Sequence, residues 1–263
     1  MQVLKGAIAA GHTETAKAAE MILRDGGNAF DAILAAQFTA FVSEPVLTSL
    51  GGGGFLMAET GEGNQLVYDF FVQTPSQKRE HSALQFYPIC ADFGVVQQEY
   101  HIGPGSVAVP GMVKGLFEIH QDLCTLPMSR LSEPAIELAR RGVVMNSFQS
   151  GVFDIIGPIY SSSAEAKRTF QSAKNETNLI REGEVLKIPE LADTIEQLTQ
   201  NGESYFYRGE IAGSIDQIFR KNGGQLSADD LQKYQVIKRK PLNISCRGHE
   251  IAINPPPGSG GYS

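Results

Sequence analysis

His120 and Cys124 stand one helical turn apart, the spacing at which an imidazole could take a proton from a thiol. The same spacing also suits a buried structural thiol, and no G-x-S-x-G elbow supplies a serine alternative. His12 and His101 fall beside loops without partners of matching chemistry. Asp229 and Asp230 could act as paired carboxylates, or simply answer the dipole at a helix start. The run Gly51 to Gly54 offers either a phosphate cradle or a place where backbones pack closely. Phosphate loops run from strand into helix, and the nucleotide version adds Lys-Ser/Thr. Here the glycines follow a helical stretch, enter an apolar strand, and no lysine follows. The segment from Pro255 to Gly261, PPPGSGG, reads in isolation as a stiff turn.

These residues are held by alternating helical and extended patterns. Val3 to Gly11 alternates loosely and predicts a strand. Thr13 is placed to cap a first helix, with Ala18, Met21 and Ile22 as its apolar stripe and Asp25-Gly26-Gly27 as its end. Asn28 then caps a helix over 29–42 that is apolar nearly all round, as a sandwiched helix must be. Strands follow over 55–59 and 65–71, joined by the turn chemistry of Thr60 to Asn64. The stretch 74–103 reads as irregular. Helices are predicted over 112–123, 129–141, 147–156, 188–199 and 210–221, with Ser227 capping a short one. Strands at 235–237 and 249–254 close the chain. The order is that of an α+β protein.

Composition narrows the function classes. The 263 residues carry 22 Lys+Arg against 29 Asp+Glu, a net charge of −7 that opposes non-specific nucleic-acid binding. Lys238, Arg239 and Lys240 form the one basic run, which a solvated strand edge explains. The longest apolar stretch, Ala32 to Val42, is about half a membrane span and contains Gln37 and Thr39. No secretory signal is visible at Met1 to Lys5. Three scattered cysteines and five dispersed histidines predict neither a disulfide frame nor a metal site, and no cofactor is expected. The cytoplasm is the default location.

Taken together, GGNAFDA, TSLGGGGF, VYDFFVQTP, GPGSVAVPGMVKGL, PAIELARRGV and NPPPGSGG follow one another in a single order. That series resembles the γ-glutamyltranspeptidase family (glutathione hydrolases), including its cephalosporin-acylase relatives, over Val3 to Gly261. The resemblance implies an N-terminal-nucleophile hydrolase, a four-layer αββα sandwich of which this chain is the N-terminal, large-subunit portion. It further implies a precursor that cleaves itself to free a threonine whose α-amino group, of ordinary pKa ~8, serves as base for its own hydroxyl. Backbone N–H groups of a later glycine pair would hold the oxyanion. The substrate would be a small amide, and the partner the small-subunit region of the same precursor.

Two departures from the family pattern shape the expectations. The nucleophile of the family lies in a Thr-Thr-His-like junction after the PPP-x-SGG motif, so residues 1–263 are expected to be one large-subunit region truncated before that junction, with no catalytic residue of their own. Family members are often exported, so a shortened start could also have lost a signal. The second departure is at Asp69-Phe70-Phe71-Val72-Gln73-Thr74-Pro75, where the family usually reads D-F-R-E-x-A-P. The family arginine, which clamps the α-carboxylate of a γ-glutamyl group, falls on Phe71 and its glutamate partner on Val72. Phe71, Val72 and Gln73 are therefore the candidate substrate-binding residues. Phenylalanine cannot supply a charged fork, which implies weak γ-glutamyl activity and an apolar acyl preference. An acylase on another amide, or an inert scaffold that binds without catalysis, are the alternatives.

Overall fold

The computed structural model describes residues 6–258. Helix α1 (Thr13–Arg24) and helix α2 (Ala29–Ser43) form an antiparallel pair at the start. His12 caps α1 through its Nδ1, which accepts the Glu14 N–H; Thr13 is the first helical residue rather than the cap. Gly6 to Ala10 form no strand. Val3 to Lys5 of that expectation lie outside the described residues. A loose alternation sets which face of a segment is apolar, but a strand exists only where a neighbour pairs its N–H and C=O groups.

The GGNAFDA motif explains the entry to α2. Asn28 Oδ1 accepts the N–H groups of Phe30 and Asp31, and Asp31 Oδ2 accepts the Asn28 N–H at 2.8 Å, a reciprocal capping box. Asp31, fully buried, also accepts the Thr125 N–H, the Thr125 hydroxyl and the Leu126 N–H at 2.6–3.0 Å. One carboxylate therefore ties the start of α2 to a turn almost a hundred residues later. Burial alone would raise the Asp31 pKa, but these donors outweigh it and hold it below the ordinary carboxylate range.

Strand β1 (Gly54–Glu59) and strand β2 (Gln65–Phe70) pair antiparallel across the Thr60–Asn64 turn, closed by Thr60 N–H to Asn64 O at 3.0 Å. The stretch expected to be irregular contains a second hairpin, β3 (Tyr87–Asp92) and β4 (Gln97–Ile102). Its strands carry Pro88 and run Gln-Gln-Glu, so their pairing leaves little mark as apolar alternation. Helices α3 (Met112–Leu123) and α4 (Met128–Arg141) follow, then strand β5 (Val143–Val144), α5 (Ser147–Tyr160), α6 (Ala164–Thr169) and β6 (Val185–Leu186), which pairs with β5. Helices α7 (Pro189–Asn201), α8 (Ser204–Tyr207), α9 (Glu210–Lys221) and α10 (Ala228–Lys233) lead to β7 (Ile237–Arg239) and the hairpin β8 (Leu242–Cys246) and β9 (His249–Ile253). Ser227 and Asp230 make a capping box at α10, the structural reading of that acidic pair.

β7 returns from the far end of the chain to pair with β2, giving a three-stranded sheet in the order β1-β2-β7. Its pairing covers Ile237–Arg239, two residues beyond the predicted strand. The main core lies between this sheet and α1 to α4, with Ile22, Leu34, Phe38, Tyr68 and Leu131 at its centre. A second cluster, around Leu138, Phe153 and Leu186, joins the end of α4 to α5 and the β5–β6 pair. The basic run lies at the edge strand β7, with Lys238 and Lys240 exposed, but two of its charges are paired: Lys238 with Glu118 at 2.9 Å and Asp122 at 2.7 Å on α3, and Arg239 with Asp69. These ion pairs fasten β7 to α3 and β2.

Candidate functional site

Residues 71–73 leave β2 at a corner where two glycine-bearing segments, the loop 51–54 and the start of α3, meet it. A Cβ on Gly53 would sit 2.7 Å from the Phe70 carbonyl and 2.8 Å from the Val72 nitrogen, closer than any real side chain approaches. A Cβ on Gly111 would overlap the Phe70 carbonyl, and one on Gly115 would overlap the Phe70 ring. The carbonyl of Gly52 accepts the N–H groups of Gly111 and Met112 at 2.9 and 3.0 Å. The glycine loop thus offers an oxygen to the start of α3. Close packing is what Gly53 and Gly54 provide against residues 70–72, and the Gly52 N–H donates to Ser49 O at 3.1 Å.

The Phe71 backbone is held from both sides. Its N–H donates to Asp69 Oδ1 at 3.1 Å, and its carbonyl accepts the Tyr234 hydroxyl at 2.8 Å. Asp69 is buried and its other oxygen accepts Arg239 Nε at 2.7 Å. Burial, and then the charge of Asp69, push the Tyr234 phenol up, so it stays protonated as a donor. Behind it, Tyr207 stacks on Tyr234 at 6.0 Å and donates to the Pro110 carbonyl. With its main chain fixed, the Phe71 ring turns outward, 43% exposed, and stacks on Phe55 at 5.4 Å with 16° between the planes. Val72 is half-buried. Gln73 is exposed at its side chain, while its backbone exchanges two hydrogen bonds with Val109.

The structure therefore brings Phe71, Val72 and Gln73 together with three residues not singled out from the sequence: Phe55, Asp69 and Tyr234. Phe55 ends the glycine motif, so its position in TSLGGGGF was the available signal. Asp69 is a carboxylate inside an otherwise apolar strand, which in a buried sheet requires a partner. The Arg239 guanidinium is occupied by Asp69. What the corner presents is an aromatic platform without a charged fork.

The other candidates resolve as structural. His120 Nε2 lies 2.9 Å from the Leu126 carbonyl. The Cys124 thiol is pushed up to about 12, first by burial and then by Asp31, so it is not a ready nucleophile. His12 is a helix cap, and His101 stacks on Phe86 at 4.6 Å. Among the described residues no three His, Cys, Asp or Glu side chains gather as a metal-holding group, and no helix is long and apolar enough to cross a membrane. Ser259 to Gly261 of the last motif lie outside the described residues.

Sheet and helices are those of an N-terminal-nucleophile hydrolase fold, and the comparisons give the family its name. The sequence profile of the family Gamma-glutamyltranspeptidase matches residues 15–263, so the chain belongs to the γ-glutamyltranspeptidase family. It is similar to the glutathione hydrolase proenzyme of Escherichia coli (strain K12), 30% identical over 91% of this chain and 40% of that protein. It is also similar to the acylase ACY 1 proenzyme of Pseudomonas sp. (strain SE83), 28% identical over 98% of this chain and 46% of that protein. The crystal structure of Helicobacter pylori γ-glutamyltranspeptidase superposes with a TM-score of 0.85 at 28% identity, covering 99% of this chain and 73% of that one. The chain thus spans less than half the length of these curated relatives, in their proenzyme form.

Proposed function

We propose that this chain is the large-subunit portion of a γ-glutamyltranspeptidase-like amidohydrolase or acyltransferase whose acyl pocket is apolar. The nucleophilic threonine and its oxyanion donors would come from the small-subunit region of the precursor, and residues 1–263 would supply scaffold and one wall of the acyl site. The family match and the shared fold support the reaction class. The apolar preference is supported by the Phe71 ring, stacked on Phe55 with Arg239 held by Asp69, at the position that the motif resemblance gives to the family arginine.

On this reading the aromatic pair receives the acyl chain of a small amide. Dispersion and apolar burial replace the paired charged hydrogen bonds that would otherwise grip an α-carboxylate. Similarity to an acylase proenzyme as well as to glutathione hydrolases is compatible with either a γ-glutamyl or another acyl group, so the choice between them rests on the corner.

The test is turnover by the assembled enzyme, nucleophile-bearing portion included. An amide of a linear apolar acid should be cleaved with kcat/KM at least about tenfold above that for glutathione, the two differing by one lost charge-assisted contact of ~2 kcal/mol or more. Glutathione turnover at the higher efficiency would overturn the apolar pocket. Absence of all amidase activity from the assembled enzyme would overturn the enzymatic reading itself.

A further inference from the structure

Residues 71–76 belong to no helix or strand, apart from the bridge of Gln73 to Val109, yet they are bonded along their length. Asp69 Oδ1 accepts the Phe71 N–H, and Gln73 exchanges two backbone bonds with Val109. The other attachments come from the short helix α10, more than 150 residues further along the chain. Tyr234, which ends α10, donates its hydroxyl to the Phe71 carbonyl at 2.8 Å. Asp230, in the first turn, accepts the Ser76 N–H at 2.8 Å and the Ser76 hydroxyl at 2.6 Å, both on Oδ1.

Both anchors are built into the interior. Asp230 and Tyr234 are only 5% and 3% exposed. Asp230 Oδ2 accepts the Ser227 N–H at 3.0 Å, so the carboxylate starts the helix with one oxygen and holds the segment with the other. The Tyr234 hydroxyl reaches Phe71 past Gly111, where any side chain would overlap it. The two anchors stand one helical turn apart, so α10 presents them on one side and fixes the spacing between Phe71 and Ser76.

Apolar contact is non-directional. An arginine fork fixes the place of a carboxylate by its own geometry, whereas an aromatic pair grips an acyl chain only where the rings already stand. A ring on a loosely held segment would also have to be ordered on binding, at a cost in affinity. The rings of Phe55 and Phe71 are therefore only as selective as the main chain beneath them is fixed. Strand β1 fixes Phe55; for Phe71 that task falls to Asp69 and α10.

We propose that α10 sets acyl selectivity from behind the site, with Tyr234 and Asp230 as positioning residues that hold Phe71 in place for an apolar acyl chain. The proposal rests on the acyl reading at Phe71.

The test uses the assembled enzyme, nucleophile-bearing portion included, with the p-nitroanilides of hexanoic and acetic acid as substrates. They share a leaving group, and the acetyl chain is too short to cover the ring pair. Wild type should favour the hexanoyl substrate at least about tenfold in kcat/KM. Tyr234→Phe keeps the aromatic ring and removes one hydrogen bond. It should lower that ratio about threefold or more, chiefly through KM for the hexanoyl substrate. Asp31→Asn, which weakens the fold without touching Phe71 or Phe55, should keep the wild-type ratio. A wild-type hexanoyl preference that Tyr234→Phe retains would overturn the proposal and leave the Phe71 reading standing. Equal losses on both substrates in Tyr234→Phe, or a ratio lowered as much by Asp31→Asn, would reduce the role to general stability and also overturn it. No hexanoyl preference in wild type would overturn the Phe71 reading, and this proposal with it. Should Tyr234→Phe fail to fold, Ser76→Ala removes one bond to Asp230 at an exposed site and should still lower the ratio about twofold. An unchanged ratio there would overturn the proposal.

Discussion

Phe71 stands where the motif resemblance puts the family's carboxylate-gripping arginine, an assignment we propose, and its surroundings suit a phenylalanine. The backbone is fixed by Asp69 and Tyr234, the ring rests on Phe55, and Arg239 is turned toward Asp69. Restoring the charged pair by Phe71→Arg with Val72→Glu should shift the assembled enzyme toward γ-glutamyl substrates by about tenfold or more in relative kcat/KM. An unchanged preference would sink the assignment of this corner to the acyl group. Asp31 makes a second residue-scale prediction. Asp31→Asn brings an amide among four donors, and should cost ~2–4 kcal/mol in denaturant unfolding at neutral pH. Because its folded pKa is depressed, the wild-type advantage is full above the ordinary carboxylate value of ~3.9 and disappears as pH falls through the lower folded value. The difference between wild type and variant should therefore shrink with acidification, as melts across a pH series would show.

At the scale of elements, the glycine loop and α3 are held so close to β2 that side chains are excluded. Gly53→Ala would press a methyl group on the Phe70 and Val72 backbone, which cannot yield as a flexible side chain could. A loss of ~1–3 kcal/mol in chemical denaturation is expected, and a neutral result would contradict the close approach. Strand β7 depends on charge as well as pairing. Arg239→Met should leave buried Asp69 with only the Phe71 N–H, cost ~1–3 kcal/mol, and raise hydrogen exchange along Ile237–Arg239 before the β1–β2 pair. Element types were mostly readable from sequence, since α2, α3, α9 and the β1–β2 hairpin declare themselves by period and turn chemistry. The β3–β4 hairpin, the β5–β6 pair and the coil at Gly6–Ala10 did not, because pairing partners rather than local pattern decide them.

For the whole molecule, two stretches more than 160 residues apart make one sheet, and the catalytic chemistry of the family is proposed to lie with a further region. Isolated residues 1–263 should hydrolyse no amide substrate, while co-expression with a nucleophile-bearing small-subunit region should restore turnover. Amidase activity from the isolated chain, measured by product release, would place a nucleophile within it and refute this division of labour. The comparisons support the division, since the chain covers 73% of a solved family member but less than half of the proenzymes.

Six motifs in fixed order determined the family by themselves, and the mismatch at Phe71 was visible as a missing charge. Both are properties of residue type and order, which a linear sequence carries completely. That Gly53 and Gly54 admit a neighbouring backbone and ring at close range was visible only when residues 70–72 came to lie against them. Likewise, only folding set Asp69 between Phe71 and Arg239 and stacked Phe55 on the Phe71 ring. These are contacts between residues far apart in the chain. Burial and hydrogen-bond satisfaction, not local preference, select them.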